Sequence, residues 1–138
     1  MQYHVIKNWR TVASSYLRAK VGAWSITTRQ QGPGIYRMQE HGSFYYHPEP
    51  IELTVLKEGE LVWFTDEPRQ MYALAEIGLF RAYGNVVVGG LGLGLIHHFL
   101  QYNPNVKGVI TIERAPELET LVWPYMIGML IYFIYLGV

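Results

Sequence analysis

Residues 86–113 read VVVGGLGLGLIHHFLQYNPNVKGVITIE, and this stretch decides the fold. Val86-Val87-Val88 is a short β-branched run of the kind found in a buried parallel strand. Gly89-Gly90-Leu91-Gly92-Leu93-Gly94 is a glycine loop. Residues 95–102 read as a helix, stopped by Asn103-Pro104. Residues 109–112 form a second strand, closed by Glu113. Strand, loop, helix, strand and acid in that order make one right-handed βαβ unit.

That order carries chemistry. Glycines allow positive φ and let the backbone approach a ligand without Cβ contact. A helix start offers unpaired N–H groups and a positive dipole end. An acid at the tip of the next strand can accept hydrogen bonds from both ribose hydroxyls. Glu113 lies 23 residues beyond Gly90, close to the spacing of roughly 20 that dinucleotide sites use. The strict G-x-G-x-x-G fingerprint fails, because its last position falls on Leu95 or His97. The loop is G-x-G-x-G, at Gly90, Gly92 and Gly94.

Upstream, Thr65-Asp66-Glu67-Pro68 opens a helix, with Asp66 as the N-cap and Pro68 in the first turn. Met71, Leu74, Ala75, Gly78, Leu79 and Ala82 follow at helical spacing, and Gly84 reads as the closing C′ residue. Before that, the chain is β-rich. Residues 35–39 and 43–46 flank Gly42 as one hairpin, and residues 51–56 and 61–64 form a second. Gln31-Gly32-Pro33-Gly34 and His47-Pro48-Glu49-Pro50 are breaks. Residues 3–21 read as an amphipathic helix or an extended arm. Downstream, Ala115-Pro116 starts a third helix, with Leu118, Leu121 and Val122 on one face. The fold class is α/β: an N-terminal arm and β-hairpin region over residues 1–64, then a partial Rossmann-like βαβ unit with parallel strands over residues 65–138.

The last 14 residues, YMIGMLIYFIYLGV, carry no charge. A membrane span needs about 17–25 apolar residues, and extending this run backwards meets Pro124. A strand or core-facing segment is the expectation, with a membrane anchor as the alternative. The absence of a polar tail suggests part of a longer sequence.

The chain has 138 residues, half of them apolar and 16% charged. That fits one domain, or one domain and an arm, and excludes wholesale disorder. Eleven basic and 11 acidic residues cancel. A general electrostatic nucleic-acid binder would be basic, and zero net charge favours self-association, so a homo-oligomer is expected. Cysteine is absent, which excludes a disulfide scaffold, a thiolate zinc site and a cysteine nucleophile. Together with the lack of a signal peptide, this suits a cytoplasmic protein. Lys7, Arg10, Arg18, Lys20, Arg29 and Arg37 occupy residues 1–39 without a single acid. They are spaced rather than clustered, so they read as an arm packed on an acidic body.

Residues 86–126, VVVGGLGLGLIHHFLQYNPNVKGVITIERAPELETLVWPYM, resemble motif I and the second strand of class I S-adenosylmethionine-dependent methyltransferases. The valine-rich strand, G-G-x-G-x-G, the Pro-x-Val linker ending in Val106 and the strand ending in Glu are closer to the spermidine-synthase-like branch. Thr65-Asp66-Glu67-Pro68 is similar to the Asp-containing stretch those proteins carry before this helix. The resemblance implies a small-molecule nucleoside ligand, S-adenosylmethionine or a related adenosyl compound. Gly90, Gly92 and Gly94 would line its methionine and ribose side, and Glu113 would hold the ribose hydroxyls. Asp66 would either reach the pocket rim or serve only as a helix cap. Val88 stands where many methyltransferases have an acid. The third- and fourth-strand motifs, with their adenine-binding and catalytic groups, are missing. A transferase-derived binding protein is therefore expected, with no catalytic residue named, and a non-catalytic oligomeric scaffold is the alternative.

Other chemistries fare worse. His97 and His98 are neighbours pointing about 100° apart on a helix. His41 and His47 sit in turns, and H-E-x-x-H is absent, so no metal site is expected. None of the four serines lies in G-x-S-x-G, and no P-loop lysine follows the glycines.

Overall fold

A computed structural model describes residues 3–38, 42–126 and 131–135. Three sheets organise the chain. Both hairpins form, residues 39–41 of the first lying outside the described residues, but they belong to different sheets. β4 (Gly34–Arg37) pairs antiparallel with β5 (Phe44–His47), and β1 (Tyr3–Val5) joins the far side of β5 in parallel. β6 (Ile51–Glu58) pairs antiparallel with β7 (Leu61–Thr65) and, on its other edge, with β3 (Trp24–Gln31), which carries β2 (Lys20–Val21). The N-terminal segment is thus an extended arm with one short 3-10 turn at Val12–Ser15, not an amphipathic helix. Its partners are distant in sequence, so its own periodicity carried little information.

β6 is buried on both faces because it separates two cores. Ile51, Leu53 and Val55 face a small cluster with Ile6 and Tyr45. Leu56 faces the main core with Ala13, Tyr16, Ile26, Leu91, Leu93, Leu118 and Val122. That main core draws on both the β-rich region and the βαβ region.

The helix after β7 starts one residue later than read. Glu67 is the N-cap, accepting from the Arg69 N–H, and α1 runs from Pro68 to Ala75. It widens into a π-helical turn over Glu76–Arg81 and ends at Ala82, so Gly84 opens β8 (Gly84–Gly89) instead of closing the helix. The widened turn has a local cause. Gly78 crosses α2 (Leu95–Leu100) so closely that a Cβ there would sit 2.7 Å from Phe99 Cβ. The buried Asn103 amide donates to the Gly78 and Ala82 carbonyls at 2.9 and 2.8 Å, pairing oxygens the turn exposes. Gly78→Ala is expected to destabilise the protein by about 1–3 kcal/mol through overpacking. Ala is nonetheless roughly 1 kcal/mol the better helix former, so a rise in the urea midpoint would refute this close approach.

β8 and β9 (Val106–Glu113) run parallel, and β10 (Ile131–Tyr135) adds in parallel on the far side of β9. The apolar tail thus supplies a strand. Among the described residues, no helix is long and apolar enough to cross a membrane. The order β8-β9-β10 steps in one direction, so right-handed crossovers put α2 and α3 (Pro116–Leu121) on the same face. Among the described residues the opposite face stays open: Val87 is 64% exposed, and Ile110 and Ile112 are each 36% exposed. The expectation of a fully buried β8 is corrected here. An all-apolar parallel strand requires cover on both faces, and the described residues supply one.

Candidate functional site

The C-terminal ends of β8 and β9 point at the four-stranded sheet, and a cavity of about 770 Å³ lies between them. One wall is the glycine loop with Glu113 and Arg114. The other is Trp24, Leu56, Trp63 and Phe64 from the sheet, with Leu74 from α1. Open α/β sheets place ligands at this end of their strands.

Gly90 and Gly92 line the cavity with φ of 90° and 55°, conformations that favour glycine. Gly94 does not line it. Gly94 caps α2 in the left-handed region, and its back faces Met126 and Val122. A Cβ on Gly94 would fall 2.6 Å from Met126 Cε. The third glycine of the motif therefore serves loop packing and lies outside the cavity lining. Tyr16 of the arm holds the loop from outside, its hydroxyl donating to the Leu93 carbonyl at 2.9 Å. α2 is also shorter than expected, with six residues.

Glu113 is buried and binds the loop. Its Oε2 accepts from the Leu91 N–H at 2.6 Å, and its Oε1 accepts from the N–H groups of Arg114 and Ala115 at 2.8 and 3.0 Å. An ionised carboxylate offers about four acceptor sites. Three are occupied, leaving one on Oε2, which is capacity for one ribose hydroxyl and not the expected two.

Asp66 is placed elsewhere. It is fully buried, is not the helix cap and does not line the cavity. Its carboxylate accepts from the Thr11 hydroxyl and the Thr54 N–H, each at 2.6 Å. Its carbonyl accepts from the Trp9 indole N–H at 2.9 Å. Burial raises its carboxyl pKa, opposed by those hydrogen bonds. Arg18 extends the same latch, donating to Thr54 Oγ1 and to the Ala13 and Tyr16 carbonyls. Part of the arm's positive charge thus serves to fasten the arm itself. The signal for this role was an acid before Glu-Pro, which a helix cap shares.

His97 is fully buried under the loop, its Nε2 2.5 Å from Thr111 Oγ1. Burial, with His98 alongside, pushes its pKa down to about 4. In the unfolded chain a histidine titrates near 6.5, so between these values the unfolded state binds the extra proton. Stability is expected to be full above pH 6.5 and to fall toward pH 4 by about 3 kcal/mol. Chemical denaturation of native and His97→Leu proteins at pH 7.5 and 4.5 checks this. An equal acid loss in both would assign the sensitivity to other groups. Among the described residues, no cluster of His, Asp and Glu could hold a metal ion, and His41 lies outside them.

Comparison with protein-family models, curated proteins and solved structures finds no significant match.

Proposed function

We propose that the chain binds an adenosyl compound, S-adenosylmethionine or a relative, in the cavity between the parallel strands and the four-stranded sheet. The observation that carries this reading is the pairing of two cavity-lining, positive-φ glycines with a buried carboxylate at the tip of the adjacent strand. Gly90 and Gly92 give backbone access, while Glu113 keeps an acceptor site for a ribose hydroxyl. A cavity of about 770 Å³ lies within the roughly 300–1,000 Å³ that small-molecule sites occupy. No residue is assigned to catalysis, so the reading is of a transferase-derived binding site. Titration calorimetry with S-adenosylmethionine and S-adenosylhomocysteine tests it. Saturable one-to-one heats support the reading, and flat titrations of folded protein reject it.

A second reading, an oligomeric scaffold, draws on the open sheet face. Val87, Ile110 and Ile112 form an apolar strip there. Tyr132 and Ile134 lie opposite Ile110 and Ile112 in register. Zero net charge adds no repulsion between copies. Light scattering across a concentration series distinguishes the two: a monomer at every concentration removes the scaffold reading.

A further inference from the structure

The wall opposite the glycine loop has a chemistry of its own. Trp24, Leu56, Trp63, Phe64 and Leu74 carry no carboxylate and no ammonium. Among the described residues, the only charged side chains lining the cavity are Glu113 and Arg114, both at the end of β9. Glu113 is already committed to three backbone N–H groups. Trp24 and Trp63 stack on each other, with ring centroids 5.8 Å apart and planes 29° from parallel, so the wall presents indole surface to the cavity. Trp63 is 49% exposed, so its ring is not used up by the core.

These features select a ligand class. A flat aromatic ring gains by stacking on indole and needs no counter-charge. A protonated polyamine, which the resemblance to aminopropyltransferases would bring, needs carboxylates around its ammonium groups, since burying an unpaired charge is costly. The wall supplies none. We propose that this side of the cavity takes a neutral aromatic small molecule, of the indole or phenol class, as the second ligand of the site. The proposal rests on the nucleoside reading for the identity of the first ligand only.

The experiment uses the full chain and titrates indole, 1,4-diaminobutane and S-adenosylhomocysteine separately. Each is run on native protein, Trp63→Ala and Trp63→Phe, with a thermal melt of each variant to establish folding. Base-on-aromatic stacking measured by alanine substitution corresponds to about tenfold or more in affinity. Indole is therefore expected to bind saturably, to weaken about tenfold in Trp63→Ala, and to recover in Trp63→Phe. The effect on S-adenosylhomocysteine is expected to be smaller than that on indole. Binding of the diamine in preference to indole overturns the proposal, as does indole binding indifferent to Trp63→Ala or absent from folded native protein. Trp63-dependent indole binding without any nucleoside binding rejects the nucleoside reading and leaves the aromatic wall standing.

Discussion

Replacing Glu113 by alanine is expected to cost about 3–6 kcal/mol of stability, since hydrogen bonds to a charged acceptor contribute about 1.5–3 kcal/mol each and two of the three lost are to buried residues, the exposed Arg114 N–H being open to water. The Leu91, Arg114 and Ala115 N–H groups would all lose their partner, and Leu91 and Ala115 are buried. Loss of the loop would remove any ligand site with it, so alanine alone does not separate anchoring from binding. Glu113→Gln does. Its amide keeps one acceptor oxygen for Arg114 and Ala115 but turns an NH₂ toward the Leu91 N–H, donor against donor. A cost of about 1–3 kcal/mol is expected from that buried mismatch, with the fold retained. Adenosyl-ligand affinity should fall about ten- to a hundredfold, because the open acceptor site and the negative charge are both lost. Urea denaturation and calorimetry on the same samples check the pair. A Gln variant as stable as native protein would remove the anchoring role. A folded Gln variant with native affinity would remove the ribose role.

Asp66→Ala is expected to be nearly as damaging, about 3–5 kcal/mol, through a different part of the molecule. It unpairs the buried Thr54 N–H and frees the Thr11 hydroxyl, both of which donate to the buried Asp66 carboxyl at 2.6 Å. The arm, which also carries Tyr16 onto the loop carbonyl of Leu93, should loosen first. Hydrogen exchange is expected to rise over residues 9–18 before global unfolding. A variant with native exchange there would show that the latch does not hold the arm. The pH dependence runs opposite to that of His97. The Asp66 pKa is raised by burial, so the folded state favours the protonated carboxyl. Its contribution is full below the unfolded carboxyl value and declines as pH rises through the folded one. Asp66→Asn, which cannot titrate, should therefore steepen the acid destabilisation that His97 produces.

Much of the local structure was legible because it depends on neighbours in sequence. Two β-rich runs a short link apart, residues 51–56 and 61–64, marked the second hairpin. Pro68 and Pro116 marked helix starts, and Asn103-Pro104 a helix end. The strand, glycine loop, helix and strand followed from residues 86–113, since β-branched runs and glycines with positive φ constrain the backbone directly. Glu113 was legible as an acid at a strand tip beside the loop.

What residues 86–113 could not reveal was where long-range contacts fall. Asp66 and a plain helix cap look alike in sequence, because its partners Thr11 and Thr54 lie 55 and 12 residues away. Gly94 reads like Gly90 and Gly92 until Met126 and Val122 fill the space behind it. The three backbone donors that occupy Glu113 follow from the loop's final path. Trp24 and Trp63 became one wall only when β6 carried β3 and β7 on its two edges. The open face of β8 has the same origin. Sequence determined that these strands are apolar and parallel, while the direction in which the sheet grew decided which face α2 and α3 would cover. Local sequence sets backbone conformation through sterics and nearby hydrogen bonds; burial and partnership are properties of surfaces brought together from far along the chain.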